Sequence, residues 1–551
     1  MQKDESTVKE KYMFESIYES LAKEKLRNFY KDVCVLTSRY EETGGECVNI
    51  RRIKRQFKEY LKGEIRDISQ SLLITDINEQ RSGVLEFWDL NPDSQYKQYI
   101  DRFFEKYYYE RFIAKYKLWY EKVHRTMDLA YAYLLGVIKN YLTDINKLVK
   151  KGLVKEAEKT ILSEVEFIGD KRNSGKCTVR CKINEDYVIY KPESGRIFEL
   201  YGKLIRLVSA DDDYKILNMV QGNKYFWAEH LDNDNCDKES EIKEFYKNAG
   251  YMLAAAYLMN AVGISEEKIY SVGKYPVMVD AETISSMNLF SKKMTKGKKL
   301  FDRSVFKTAI IPMHYSRENK DIIEHNALGD VIFVARSESD ITDEFTSKAK
   351  ERWEVRKYKG KHTHLPKLSG ESVPVWEYVD DVIEGFDEGY DNIMDSLPAI
   401  YKLLKDYENT KIRISLRNRE FYSQMLKKLN SPELLKDKET TQDYIKLVFT
   451  DSSIDEYSLK HEIQQLMRGD VPYFTTLLKD RTVYTQEWDR ALKRRYESPL
   501  ECIINKLDDF SKEDKEKQID FIRSAFDYDH CSLAYFDNDK NIESVVNEWI
   551  L

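Results

Sequence analysis

The sequence predicts an α+β fold, with a strand-rich centre between two helical flanks, and three observations predict it. Apolar residues recur at helical spacing through most of residues 1–152. The pattern then switches to alternation around short turn signals. Glycine (21) and proline (10) are scarce in 551 residues rich in Lys, Glu and Leu, which leans the remainder towards helix.

Residues 1–98 read as helix interrupted by "ETGGE" and "LNPDS". From Tyr99 to about Gly152 the chain reads as one helical run, with Gly136 its only breaker. "EVEFIGDKRNSGKCTVRCKINEDYVIYKPESG" reads as paired strands that turn at Asn173–Gly175 and Asn184–Asp186. Helix returns over Ser240–Gly263. A hairpin follows in "VGISEEKIYSVGKYPVMVDAETI", turning at Gly273–Lys274 and running into two carboxylates, Asp280 and Glu282. Beyond Phe290 come a basic loop, "SKKMTKGKKL", a mixed region to about Gly370, and a mostly helical C-terminal third. These shifts divide the chain into an N-terminal helical region (1–155), a strand-bearing core (156–290) and a C-terminal region (291–551).

Bulk properties exclude several classes. Hydrophobic residues at 42% against 34% charged give a chain that can bury a core. A net charge of -7 offers no general attraction for nucleic acid. No apolar run reaches the roughly 18 residues of a membrane span, and the charged opening "MQKDESTVKEKYMFE" is unlike a secretory signal. Seven scattered cysteines fit reduced, cytoplasmic thiols.

Phosphoryl transfer needs a strand lysine on the nucleotide phosphates, a strand-end carboxylate on Mg²⁺, a loop Asp to orient the hydroxyl, and an Asn for a second metal ion. Lys191 ends the strand "DYVIYK", and Asp280 follows "YPVMV" with Glu282 two residues on. Counting back through the loop, the base position falls on Gly263 and the asparagine position on Lys268. The spacing of a catalytic loop is present without its side chains. On spacing alone, solvated strand ends are the commoner explanation of Lys191 and Asp280, and the reading goes no further than a possible nucleotide-binding α/β core.

A collinear series of segments goes further. "IGDKRNSGK" is similar to a GD-x-H-x-x-G stretch, "VIYKPESG" to VYKPR, and "KYFWAEHL" to YGW-x-E. "EFYKNAGYMLA", the carboxylate hairpin, "IEGFDEGY", "RISLRNREFY", "LNSPELL" and "RGDVPYF" follow in the same order. Over about Glu164–Ser524 the chain resembles the dehydratase domain of class II lanthipeptide synthetases (LanM-type). The resemblance implies a lipid-kinase-like, two-lobed core elaborated by large helical N- and C-terminal regions. Residues 156–290 would then be the nucleotide-binding core and 291–551 an activation and elimination region. It implies ATP and Mg²⁺ as cofactors and a ribosomal precursor peptide, leader and core, as the partner whose Ser and Thr are phosphorylated and then dehydrated. An active synthetase or a separate cyclase is a further implied partner. Position by position it puts Lys191 on the phosphates and Asp280 on the metal with Glu282 beside it. Asp170 and Arg413, with Arg417 in the same segment, fall in the elimination half.

The departures fall on the same positions. Gly263, Ser265 and Lys268 replace the catalytic Asp, His and Asn; Arg172 replaces a His, Glu193 the Arg of KPR, and Arg419 the elimination Thr. Glycine and serine supply no general base, a contribution of about 10²–10⁴-fold. Lys268 either takes over the charge of one Mg²⁺ or closes the site. The cyclase domain that follows in the family has no counterpart before Leu551, so ring closure is not expected. Two functions remain open: a divergent dehydratase, or a catalytically impaired pseudoenzyme that binds the precursor peptide or a partner synthetase. A small-molecule phosphotransferase fits the core but not the C-terminal segments. His362 and His364 in "KHTH" read as ordinary histidines rather than metal ligands, and Arg413, Arg417 and Arg419 read as one alternating strand suited to an anion.

Overall fold

Five helices build the N-terminal part: α1 (Glu15–Glu41), α2 (Ile50–Gly83), α3 (Pro92–Phe103), α4 (Lys106–Lys115) and α5 (Lys117–Lys150). Asn91 starts α3 by accepting the Ser94 N–H at 2.9 Å, with Pro92 at the first helical position. The single run expected from Tyr99 is three helices, because the backbone leaves helical geometry at Phe104–Glu105 and again at Tyr116. Gly136 sits inside α5 without breaking it. The computed structural model describes residues 13–41, 47–83, 90–157, 159–289, 300–312, 326–329, 333–359, 362–449 and 456–527, so the basic loop Lys292–Lys299 lies outside the described residues.

The alternating segment forms three strands of an antiparallel sheet, β1 (Leu162–Arg172), β2 (Lys176–Ile183) and β3 (Asp186–Lys191), joined by β4 (Met219–Gln221) and β5 (Phe226–Glu229) in the order β1-β2-β3-β5-β4. Asn173, Ser174 and Gly175 turn β1 into β2 with φ of 52°, 67° and 77°, the left-handed region that Asn and Gly tolerate. One face of the sheet, including Val179, Cys181, Val188 and Tyr190, packs in the core shared with α2 and α5. Phe226 and Ala228 face the second core, built on α6 (Arg196–Ser209) and α7 (Glu239–Leu258). Cys177 and Cys181 are free and buried, and burial pushes the Cys177 thiol up to about 12, so both are inert packing groups.

Two-residue β6 (Asn235–Cys236) precedes α7, and the hairpin of β7 (Ile269–Val272) and β8 (Tyr275–Met278) follows it, turning at Gly273 with φ 54°. β9 (Phe333–Thr342) and β10 (Lys350–Lys359) form a ribbon; β11 (Lys367–Leu368) joins β6 to β12 (Glu371–Ser372). The C-terminal third is helical as expected: α8 (Val379–Asp395), α9 (Leu397–Asp406), α10 (Arg419–Lys428), α11 (Lys438–Phe449), α12 (Glu456–Arg468), α13 (Pro499–Asp509) and α14 (Lys512–Ala525), with β13 (Lys411–Ile414) paired to β14 (Phe474–Leu477). Among the described residues no helix is long and apolar enough to cross a membrane.

α7 and α8 cross with their backbones in contact. A Cβ on Gly385 would stand 1.9 Å from the Lys247 carbonyl oxygen, and one on Gly250 would stand 2.2 Å from that of Val382. Neither carbonyl is the end of a flexible side chain, so the helices would have to separate. Gly385→Ala is therefore expected to destabilise by about 2 kcal/mol or more. Gly136→Ala in α5, where an added Cβ meets nothing within 4 Å, should instead stabilise by about 0.5–1 kcal/mol. Thermal unfolding of the two variants against the parent checks both signs.

Candidate functional site

The ends of β3 and β8 converge. Lys191 donates from Nζ to the Val279 carbonyl oxygen at 2.7 Å, across 88 residues of sequence, with its ammonium 5.3 Å from the Phe198 ring centroid. Asp280 follows directly, two residues beyond the end of β8 rather than at its last position. Burial pushes its carboxyl up, but the Lys191 and Lys268 ammoniums overcome this and hold it below the usual carboxylate range. The Glu282 backbone N–H donates to Asp280 Oδ1 at 3.0 Å, so the pair forms a local turn and does not share one strand face.

Glu282 turns inward and is only 5% exposed. Arg172 at the end of β1 grips it with both terminal nitrogens, Nη1 at 2.6 Å from Oε2 and Nη2 on Oε1. Arg413 in β13 adds a bond from Nη1 to Oε2 at 3.1 Å. Both guanidiniums lie over the buried Tyr473 ring, at 5.1 Å and 5.4 Å from its centroid. Arg172 also donates to Glu193 Oε2 at 2.9 Å. Burial and then the Glu282 charge push the Glu193 carboxyl well up; burial raises Glu282 too, but Arg172 and Arg413 pull it well below its ordinary value. The two carboxyls are thus pushed in opposite directions, Glu193 up and Glu282 down.

Lys268 occupies the loop before the hairpin. Its Nζ donates to the Gly263 carbonyl oxygen at 2.6 Å and to Thr283 Oγ1 at 2.8 Å. Gly263 has φ 60°, a left-handed position. The residue in the asparagine position is therefore hydrogen-bonded to the residue in the base position.

The remaining sites divide. Asp170 accepts from Arg419, which also pairs with Glu267 at 3.2 Å. Arg413, Arg417 and Arg419 do not share a strand: only Arg413 lies in β13, while Arg419 opens α10, which Asn418 starts by accepting the Glu420 N–H at 2.7 Å. Arg417 is turned away, donating to the fully buried Glu462 at 2.8 Å and stacking 4.1 Å from the Phe449 ring centroid. Its place is in the small core of α10, α11 and α12. His364 is buried with Nε2 3.1 Å from the Gly329 carbonyl oxygen. Among the described residues no three or more His, Cys, Asp or Glu gather as a metal would require. Tyr473, under both arginines, was missed; its motif "VPYF" is legible, but not the partners it acquires when β14 meets β13.

The donor set does not suit the Mg²⁺·ATP that the resemblance implies. Mg²⁺ takes one or two carboxylates beside waters and phosphate oxygens, yet both Glu282 oxygens are bonded to guanidinium groups, which leaves Asp280 alone, in the field of two ammoniums.

All of these side chains fall inside one family match. The model for the family described as "Domain of unknown function (DUF4135)" matches residues 118–477, and the chain belongs to that family. It is also 22% identical over 488 residues to the Lacticin 481/lactococcin biosynthesis protein LcnDR2 of Lactococcus lactis subsp. lactis, covering 83% of this chain and 51% of that protein. The chain thus spans about half the length of that curated relative. The two matches bear out the relation to LanM-type lanthipeptide synthetases read from the motifs.

Two measurements test the charge cluster. Arg172→Ala leaves Glu282 buried with one guanidinium fewer and should cost about 3 kcal/mol or more, with the double variant Arg172→Ala/Glu282→Ala losing less than the sum in denaturant unfolding. Glu193 holds its proton more tightly folded than unfolded. Its stabilising contribution is complete below the unfolded carboxyl range of about pH 4 and is lost as pH rises through its raised folded value. Glu193→Gln removes that loss, so the unfolding midpoint should rise at about pH 8 and barely move at about pH 4.

Proposed function

We propose that this chain serves lantibiotic biosynthesis as a dehydratase-like protein that holds a precursor peptide, or the synthetase acting on it, without phosphorylating the peptide. On this reading residues 156–290 are a kinase-like core, residues 291–551 its helical activation and elimination region, and residues 1–155 a helical N-terminal region, all in a pseudoenzyme state. One observation carries it: Lys268 Nζ bonds the Gly263 carbonyl oxygen at 2.6 Å. The two loop positions that would supply a base and a metal ligand are thereby tied to one another. The clamped Glu282 supports the same reading, since it has no oxygen free for a metal ion. The family match and the printed role of the lactococcal relative support the biosynthetic setting.

The second reading, nucleotide-dependent phosphorylation and elimination, draws on the meeting of Lys191 with the Val279–Asp280 strand end. Co-expression with the small peptide encoded beside this chain, followed by affinity capture and mass measurement, separates the two. The expected outcome is a co-purified peptide of unchanged mass. Loss of water, or a gained phosphate, establishes the second reading instead, and Lys191→Ala should then abolish the change.

A further inference from the structure

One end of the five-stranded sheet gathers more cations than the carboxylate cleft uses. β1 ends and β2 begins there, with Arg172 and Lys176 as register partners. Lys191 ends β3 opposite Phe226, and Lys224 stands in the turn from β4 to β5, where Gln221 also faces Phe226. Side chains alternate along a strand. Cys177 and Tyr190 are buried in one core, so their neighbours Lys176 and Lys191 share the other face of the sheet.

β13 brings a further cation to this end. Ile412 and Ile414 are buried, which puts Lys411 and Arg413 together on the opposite face. Arg413 meets Glu282, the carboxylate that Arg172 grips from the end of β1. Lys411 lies two residues back, with its ammonium 5.2 Å from the Trp488 ring centroid. Trp488 is exposed and has φ 66°, a left-handed position that a bulky side chain rarely takes. Its turn is closed by the Thr485 N–H on the Asp489 carbonyl at 2.8 Å and by the Trp488 N–H on the Thr485 carbonyl at 3.2 Å. The ring fixes Lys411 without neutralising it.

The cations sort into answered and unanswered. Arg172 and Arg413 bond Glu282, Lys191 bonds the Val279 carbonyl, and Lys268 bonds the Gly263 carbonyl and Thr283. Among the described residues Lys176, Lys224 and Lys411 make no ion pair and no side-chain hydrogen bond. The two carboxylates that act most on Lys411 are held elsewhere: Glu193 accepts from Arg172, and Glu487 faces Arg468 at 3.7 Å. Asp489 is followed by Arg490, whose guanidinium bonds the carbonyl oxygens of Leu492 and Lys493. Burial and then the Lys224 charge hold the Lys411 ammonium below the ordinary lysine range, with Lys176 adding to them and Glu193 and Glu487 opposing. Three ammoniums that repel one another and share no counter-charge make a place for an anion.

We propose that Lys176, Lys224 and Lys411 bind the phosphate group of a ligand at the edge of the carboxylate cleft, with Trp488 as the wall. Ammoniums are point charges that suit a multiply charged, tetrahedral anion, whereas a planar carboxylate is matched by a guanidinium fork. Both forks at this end already hold Glu282. A phosphorylated peptide residue and a nucleotide share the group in question. The assignment goes beyond the precursor-holding reading, since none of the three lysines takes part in the Lys268–Gly263 contact or the Glu282 clamp.

The test titrates inorganic pyrophosphate into the full chain by calorimetry, in chloride buffer of constant ionic strength and without Mg²⁺. The parent should bind it, and the double variant Lys224→Gln/Lys411→Gln should bind at least about tenfold more weakly. In chloride alone that variant should unfold at or above the parent's midpoint, because a repulsion has been relieved. Lys191→Ala should lose less binding than the double variant. Competition names the source of the phosphate: displacement by a phosphoserine peptide, and not by its unphosphorylated copy, gives the site to a modified residue, and displacement by ATP gives it to a nucleotide. Absent binding, undiminished binding in the double variant, or a larger loss in Lys191→Ala each overturn the proposal, the last by returning the anion to the Lys191–Asp280 cleft. Failure of both competitors overturns it as well, leaving an adventitious ion only. The co-expression result is independent: a precursor retained equally by parent and double variant leaves the precursor-holding reading intact whatever becomes of the anion site.

Discussion

A carboxylate buried as deeply as Glu282 persists only if its charge is answered. Two guanidiniums answer it, Arg172 from the end of the β-sheet and Arg413 from the β13–β14 ribbon, and Tyr473 lies beneath both. Three distant stretches of chain are thereby fixed around one group. The position of Asp280 follows from it, because the turn that sends Glu282 inward is closed by the Glu282 N–H on Asp280 Oδ1. With Glu282 satisfied, the Lys191 and Lys268 ammoniums act on Asp280.

The replaced positions make more sense as pairs than singly. Arg172 for a histidine and Glu193 for an arginine look like two separate losses, but the two side chains bond each other at 2.9 Å. Reverting Glu193 alone would add a third guanidinium beside Arg172 and Arg413. Lys268 follows the same logic, since its ammonium is satisfied by the Gly263 carbonyl, which has no side chain to obstruct it, and by Thr283. Side chains that answer one another in this way agree with the proposed closed form of the site. Satisfaction is incomplete, since Glu193 Oε1 and Arg413 Nε are buried without a hydrogen-bond partner.

Much of this was legible because the signals are local. Asn–Ser–Gly and Asn–Glu–Asp turns between alternating segments fix the first three strands, and Gly273–Lys274 fixes the β7–β8 hairpin; pairing Lys191 with Asp280 took the resemblance, not these local signals. The breaks around Phe104 and Tyr116 were not legible, since apolar spacing continues through them and no Gly or Pro marks them. Arg417 and Arg419 were misplaced because Asn418, a good helix cap, was read as part of a strand. Glu282 and Tyr473 owe their environment to contacts between residues hundreds apart, which no periodicity encodes.

β1 serves two regions at once. Its first residue takes up Val48, and its last residue, Arg172, clamps Glu282. A strand is stiff along its length, and its register is set by the buried alternation against β2. The strand that brings Arg172 to Glu282 is thus also an outer strand of the five-stranded sheet.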